Sequence, residues 1–317
     1  MRIIFLGTTS GVPTKERRLS ATAVVYNGEL FLFDCGEGTQ MQIRKVGLRW
    51  GALNRIFISH LHGDHIIGLL GVLMSLQVGG RDSPIFLYGP TGLEEYVQMS
   101  IRLMQARIRY ELVIKEITPA PFDKGGVVSG GVICDEKNYY VACAPLEHRI
   151  FTLGYALVEK DKPGKFNVEK AEQLGIPEGP IRTQIQRGEE VVLDNGTRIF
   201  PDDILGPPRK GRRIAYCLDT SPGENAEKLA SEADVLIYDG TFFSDEHQTL
   251  ARKTGHSTWR EAAELARKAG VKKLVLTHFS PRYTALEKFL PAFQTIFPEI
   301  ILASDLMEIE VDIKENT

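Results

Sequence analysis

The sequence predicts an α/β domain with layered sheets. Short apolar runs alternate with helical patterns in both halves of the chain, the arrangement that packs helices against sheets. Several of those runs stop at a histidine or an aspartate, which puts metal-binding side-chain types at strand ends. The composition, 43% hydrophobic and 25% charged, is that of a globular chain, and 317 residues suffice for one large domain or two small ones.

The elements follow in order. Residues 2–6 are an apolar run ending at Gly7. Residues 21–26 and 29–33 are two more, and Asn27-Gly28 between them is a strong hairpin signal. Asp34-Cys35-Gly36-Glu37-Gly38 breaks the strand and opens a helix near Thr39–Val46. Arg55–Ser59 is a short strand leading into a cluster of histidines; Gly68–Leu76 reads as a helix, and Ile85–Tyr88 as a strand turning at Gly89-Pro90. In the second half, Arg213–Leu218 ends at Asp219, Val235–Tyr238 at Asp239 and Leu274–Thr277 at His278. Ser257–Ala269 is a helix closed by Gly270, with Ala262, Ala263, Leu265 and Ala266 at helical spacing. Ile300–Ala303 and Met307–Ile313 finish the chain. Between the halves, residues 158–190 are polar, with basic and acidic residues in balance and turn formers such as Pro163-Gly164 and Gly179-Pro180. A long excursion of this kind inside a domain predicts a protruding arm.

Several function classes drop out. No apolar run approaches the roughly 20 residues that span a bilayer, so no membrane role is expected. The start, Met1-Arg2-Ile3-Ile4-Phe5-Leu6-Gly7, lacks the pattern of a signal peptide, which predicts a cytoplasmic chain. Cys35, Cys134, Cys143 and Cys217 form no CxxC pair, so they are expected to pack as small apolar residues. A net charge of −3 gives no ground for nucleic-acid binding. Any such reading must rest on a site, because a local patch can dominate the field that a ligand meets.

The strongest signal is His60-Leu61-His62-Gly63-Asp64-His65, four potential ligands within six residues directly after a strand. Zinc takes imidazole nitrogen and carboxylate oxygen. The hexapeptide matches HxHxDH, so the chain resembles the metallo-β-lactamase superfamily. The resemblance implies an αββα four-layer sandwich with a two-metal site at one edge of the sheets. It implies that His60, His62 and His148 hold one metal, that Asp64, His65 and His278 hold the other, and that Asp219 bridges both. Five of the chain's seven histidines fall on these positions. Asp34 matches a further superfamily position that supports the loop. Paired metals suit ester hydrolysis in general and do not by themselves select a phosphodiester.

Three further features resemble the ribonuclease Z family in its short form, in order along the chain from residue 2 to about residue 310. Gly255-His256-Ser257-Thr258 carries a His-Ser-Thr triplet; the resemblance implies that His256 helps protonate the leaving 3′ oxygen. Leu174–Pro180 resembles the Gly-Pro segment of that family's exosite, which implies that Gly179 and Pro180 belong to an arm gripping the tRNA elbow, with Lys160, Lys162, Lys165 and Arg182 as candidate contacts. Pro13–Arg17 and His278–Tyr283 resemble loops flanking the centre, which makes Lys15, Arg17 and Arg282 candidate substrate contacts. The basic stretch Pro207–Arg213 is a candidate phosphate-facing patch. Tyr238-Asp239-Gly240-Thr241 departs from the family's His-Glu-Ala-Thr, so the carboxylate partnering His256 would be Asp239, one methylene shorter.

The expectation is therefore a single domain over residues 1–317 with an exosite arm at about 158–190, binding two zinc ions per subunit, with manganese or iron also compatible. The expected activity is endonucleolytic removal of the 3′ trailer from precursor tRNA, with Asp64 orienting the attacking water or taking its proton. The family resemblance further implies a homodimer. The rivals are a phosphodiesterase acting on small or cyclic substrates, a non-catalytic RNA-binding relative, and a di-iron oxidoreductase. The last usually carries glutamate where this chain has His62.

Overall fold

The computed structural model describes residues 1–118 and 131–313. It divides into two compact units. The first comprises Met1–Asp135, Tyr140–Leu157 and Arg213–Val311; the second is built mainly of Val158–Arg212.

The first unit carries two seven-stranded sheets among the described residues. One runs in the order β16-β1-β2-β3-β4-β5-β6, with β1 Arg2–Gly7, β2 Ala21–Tyr26, β3 Glu29–Phe33, β4 Leu53–Phe57, β5 Ile85–Pro90, β6 Leu112–Ile117 and β16 Glu308–Glu310. The other runs β15-β14-β13-β12-β9-β8-β7, with β7 Val132–Asp135, β8 Tyr139–Leu146, β9 Thr152–Glu159, β12 Arg213–Cys217, β13 Val235–Asp239, β14 Leu274–Thr277 and β15 Ile300–Leu302. Asn27 and Gly28 adopt φ of 50° and 79°, the twisted two-residue turn that joins β2 to β3.

The sheets face each other through aromatic rings. Phe33 on β3 and Phe57 on β4 meet Tyr155 on β9 at ring-centroid distances of 6.1 and 5.4 Å, and Phe33 meets Tyr216 on β12 at 5.4 Å. The outer face of the first sheet buries Ile4, Leu6, Leu30, Leu32 and Ile56 against helices α1 Thr39–Lys45, α3 Leu69–Val78 and α4 Leu93–Leu103, which contribute Ile43, Leu69, Val72, Leu73, Leu76, Leu93 and Val97. On the second sheet, α8 Glu224–Ala230 lies on β12 and, after α9 Gln248–Thr254, α10 Trp259–Lys268 lies on β13 and β14. Helices thus flank two packed sheets, the αββα sandwich. The four cysteines are free and buried. No helix among the described residues is long and apolar enough to cross a membrane.

The second unit has a core of its own, in a stretch whose sequence shows little apolar periodicity. Helices α5 Val168–Gln173, α6 Pro180–Gln186 and α7 Pro201–Ile204 surround a hairpin of β10 Val191–Val192 and β11 Arg198–Ile199. Ala171, Ile176, Ile185, Val191, Leu193, Ile199 and Ile204 are buried together. The compact unit therefore continues past residue 190 to Arg212. Its two ends run antiparallel, with bridges Lys162↔Arg209 and Phe166↔Leu205. They close on Glu159, whose Oε2 accepts from Arg212 Nε at 2.6 Å while its Oε1 pairs with Lys162 Nζ at 2.6 Å. A Cβ on Gly211 would lie 1.8 Å from the Glu159 carbonyl oxygen, so only glycine permits this approach.

Candidate metal centre

Strand direction assembles the site. β3, β4 and β5 are parallel neighbours, as are β12, β13, β14 and β15, so the C-terminal ends in each group open on one edge. Asp34 follows β3 and Ser59–His65 follows β4, where a short helix α2 (Gly63–Ile66) carries Asp64 and His65. His148 follows β8. Asp219 follows β12, Asp239 ends β13 and His278 follows β14. Asp34, Asp219 and His278 have φ of 57°, 49° and 62°. Such left-handed conformations cost free energy for residues with a Cβ and concentrate at functional sites.

The side chains meet in two sets. His60 Nε2 lies 2.9 Å from His62 Nδ1, which lies 3.3 Å from His148 Nε2. Asp219 Oδ2 faces this set, 3.5 Å from His60 Nε2 and 3.7 Å from His148 Nε2. In the second set His65 Nε2 lies 3.2 Å from His278 Nε2, and Asp64 Oδ2 lies 3.4 Å from His278 and 3.7 Å from His65. Asp219 Oδ1 faces this one, at 3.1 Å from His278 and 3.2 Å from His65. All seven residues expected to hold metal are thus brought together, with one oxygen of Asp219 turned to each set.

The arrangement fits cations. Asp219 Oδ1 is buried and accepts no hydrogen bond, although His65 Nε2 and His278 Nε2 lie 3.2 and 3.1 Å away. Leaving such an oxygen without a partner is costly. The outer ring nitrogens are meanwhile committed: His65 Nδ1 donates to Asp34 Oδ2 at 2.7 Å and His148 Nδ1 to the Gly255 carbonyl at 2.7 Å. Ser59 Oγ contacts His60 Nδ1 at 2.9 Å, and Thr241 Oγ1 contacts His278 Nδ1 at 2.9 Å. A donor's commitment at Nδ1 leaves the lone pair on Nε2, the disposition that metal-ligating histidines adopt. Asp34 is the hub of this layer: its Oδ2 also accepts from Ser59 Oγ at 2.9 Å and from Tyr216 Oη at 2.8 Å.

The electrostatics divide the rings. Burial holds His60, His62 and His148 below the usual imidazole range, in the neutral form that binds metals. Burial also opposes charge on His65, but Asp219 and Asp34 outweigh it and push that ring well up. Burial likewise disfavours ionised Asp64 and Asp219. For Asp64 the neighbouring His278 and His65 prevail, and for Asp219 His278 and His65 do. Both carboxyls stay well below the ordinary carboxylate range.

His256 stands beside both sets, its ring 5.1 Å from His148 and stacked at 5.6 Å on His278. It is presented by the N-terminus of α10, where Thr258 Oγ1 accepts from Glu261 N and the Glu261 carboxylate accepts from Thr258 N. Its Nδ1 donates to Asp239 Oδ2 at 2.7 Å. The shorter aspartate therefore reaches the histidine, in part because Asp239 is fixed by the backbone amides of Thr220 and Thr241. Burial lowers His256, but Asp239 outweighs it and raises the ring above its ordinary value.

The remaining candidates are placed less centrally. Lys15 is exposed. Arg17 is committed inward, donating to Thr8 Oγ1 at 2.7 Å and to the Ala303 carbonyl at 2.9 Å. Arg282 lies over the Phe242 ring and donates to Ser280 Oγ. Gly179 and Pro180 open α6 in the second unit, Gly179 at φ of 108°. In the stretch Pro207–Arg213 each cation is engaged within the chain: Arg209 with the Pro163 carbonyl, Lys210 with Asp161, Arg212 with Glu159 and Arg213 with the Leu229 carbonyl. Ser59, Tyr216, Thr241 and Gly11 escaped the sequence reading. Gly11 N donates to Asp64 Oδ2 at 2.7 Å. Ser59 abuts the hexapeptide and Thr241 follows Asp239 by two, so proximity to a motif was the signal available. Tyr216 and Gly11 left none.

Comparison with known proteins gives a consistent picture. Residues 204–279 match the profile described as "Beta-lactamase superfamily domain", and residues 1–102 that described as "Anti-Pycsar protein Apyc1". The chain is 43% identical over 318 residues to Ribonuclease Z of Acaryochloris marina, covering 98% of each. It is 43% identical to Ribonuclease Z of Trichodesmium erythraeum, covering 98% of this chain and 95% of that one. It is similar in structure to human tRNase Z, short form, with a TM-score of 0.73 and 30% identity over 99% of this chain and 100% of that chain. A long-form RNase Z from yeast shares the fold, with a TM-score of 0.67 at 20% identity over 98% of this chain and 41% of that one.

Proposed function

The chain belongs to the ribonuclease Z family, and from that premise we propose that it is a metal-dependent endoribonuclease acting on precursor tRNA. It cuts after the discriminator nucleotide, leaving a 3′ hydroxyl on the tRNA and a 5′ phosphate on the trailer. The observation that carries this reading is the doubled donor set sharing one carboxylate, with Asp219 turning one oxygen to each half.

His60, His62 and His148 would hold one ion and Asp64, His65 and His278 the other, with Asp219 common to both. Zinc suits this mixture of imidazole and carboxylate, and manganese or iron would accept it too. Two such ions supply Lewis-acid stabilisation of the phosphoryl oxygens and a nucleophile at neutral pH. Asp64, whose Oδ2 accepts from Gly11 N, orients the attacking water or takes its proton. His256, raised by Asp239, holds a proton to give to the departing 3′ oxygen.

The second unit serves as the exosite of a single metallo-β-lactamase domain and grips the tRNA, with Gly179 and Pro180 in its contact surface. Lys15 and Arg282 border the nucleotides at the cut, and Arg17 braces the Lys15 loop from within through Thr8 and Ala303. The protein works in the cytoplasm as a homodimer in which one subunit's exosite holds tRNA for the other's centre. Incubating the protein with a labelled precursor tRNA, with and without chelator, tests this. A single chelator-sensitive cut after the discriminator is expected; random cleavage, or a cut that chelator leaves untouched, would refute it.

A further inference from the structure

The second unit raises a question of grip. Between Val158 and Arg212 it carries ten lysines and arginines against ten aspartates and glutamates. Several of the cations are also committed within the unit: Lys162 and Arg212 to Glu159, Lys210 to Asp161, Arg182 to the Ile176 carbonyl and Arg209 to the Pro163 carbonyl. Cations committed in this way add little to phosphate contacts, whose affinity comes from counterion release by uncommitted ones.

The hairpin offers another kind of contact. Register pairs Val191 with Ile199 and Val192 with Arg198. Val191, Leu193 and Ile199 turn inward to the unit's core. Alternation puts Glu190, Val192, Arg198 and Phe200 on the outer face, and all four are exposed. Arg198 Nη1 pairs with Glu190 Oε1 at 3.1 Å across that face. Phe200 is 50% exposed and Val192 57%. The core beneath is packed by Phe166, Ile181 and Leu205, with no part taken by Phe200. Yet Phe200 does not sit on a loose loop. Its N–H donates to Asp203 Oδ2 at 3.0 Å, its carbonyl accepts from Asp203 N at 3.0 Å, and Pro201 opens α7 directly after it. A large apolar ring thus stays half exposed although its backbone is clamped.

We propose that Phe200, with the Arg198 guanidinium beside it on the outer face of the β10–β11 hairpin, is a stacking platform for a base of the RNA held by the second unit. This deepens the function proposed above and rests on it. The occupant follows from size and charge. A protein partner needs roughly 800 Å² on each side, far more than two apolar side chains supply, whereas one base face matches one phenyl ring. An aromatic face with an arginine beside it is an arrangement on which unpaired or splayed bases stack.

The test compares Phe200→Ala and Phe200→Trp with the wild type, using the full chain and a labelled precursor tRNA transcript. Melting curves establish that both variants fold. Stacking on one ring predicts that Phe200→Ala raises KM roughly tenfold or more with kcat little changed, and that Phe200→Trp restores KM. Because no phosphate contact is lost, the salt slope of binding stays at the wild-type value across about 50–200 mM. A wild-type KM in Phe200→Ala would overturn the proposal. So would a loss that appears as a reduced salt slope, or a change of oligomeric mass, which would assign the face to a second copy of the chain. A wild type that neither binds nor cuts the transcript would overturn the function proposed above and this platform with it, and is distinguished by failing before any variant is compared.

Discussion

Asp34 shows how much of this site is decided by residues that would never touch a metal. Its two oxygens take up Ser59 N, Ser59 Oγ, His65 Nδ1 and Tyr216 Oη, and Ser59 Oγ in turn reaches His60. Losing such outer contacts typically costs about 10–100-fold in metal affinity. Asp34→Asn is accordingly expected to weaken metal binding by that order, read by chelator competition; unchanged competition would mean that the ligands hold themselves. His256 is different in kind, because its task is proton delivery. His256→Ala should lower kcat by about 100-fold or more while metal content per subunit is kept. Loss of metal in that variant would make His256 a structural residue instead. The cluster was legible in sequence because the hexapeptide concentrates four of its members and strand ends flag Asp219 and His278. Tyr216 was not, since an apolar strand of five residues gives no hint that one ring's hydroxyl will reach a carboxylate 182 residues away.

Among elements, the first-unit strands with a clear period or a marked turn could be read from the chain, Asn27-Gly28 being the plainest case. The second unit could not. Its strands are two residues long and its helices four to seven, too short for any apolar period to repeat. What sets its limits is the meeting of Glu159 and Arg212, which are far apart in sequence. Here burial opposes the charge of Glu159, but hydrogen bonds from Arg212 and Lys162 outweigh it and bring the carboxyl down to about 2 from an ordinary 4.5. The unfolded chain therefore takes up the proton first as pH falls. The stability that this carboxylate contributes is whole above pH 4.5 and drains away toward pH 2. Glu159→Gln should lower Tm at neutral pH, because it removes the carboxylate that pairs with the buried Arg212 guanidinium. The deficit against wild type should shrink as the pH drops below about 4.5. A deficit independent of pH would show that the contact acts through packing rather than charge.

For the whole molecule, the proposed function assigns the chemistry to the first unit and the holding of RNA to the second. Replacing residues 160–211 with a short Gly-Ser linker should abolish cleavage of precursor tRNA while hydrolysis of a small chromogenic phosphodiester survives. Survival of both activities would return the protein to the class of small-substrate phosphodiesterases. All of this depends on two cations sharing Asp219, and anomalous diffraction at the zinc edge, on crystals of protein supplied with zinc, tests that most directly. The account predicts two peaks roughly 3.5–4 Å apart, one among His60, His62 and His148 and one among Asp64, His65 and His278, each bonded to one oxygen of Asp219. A single peak, or a pair in which Asp219 touches neither ion, would contradict it.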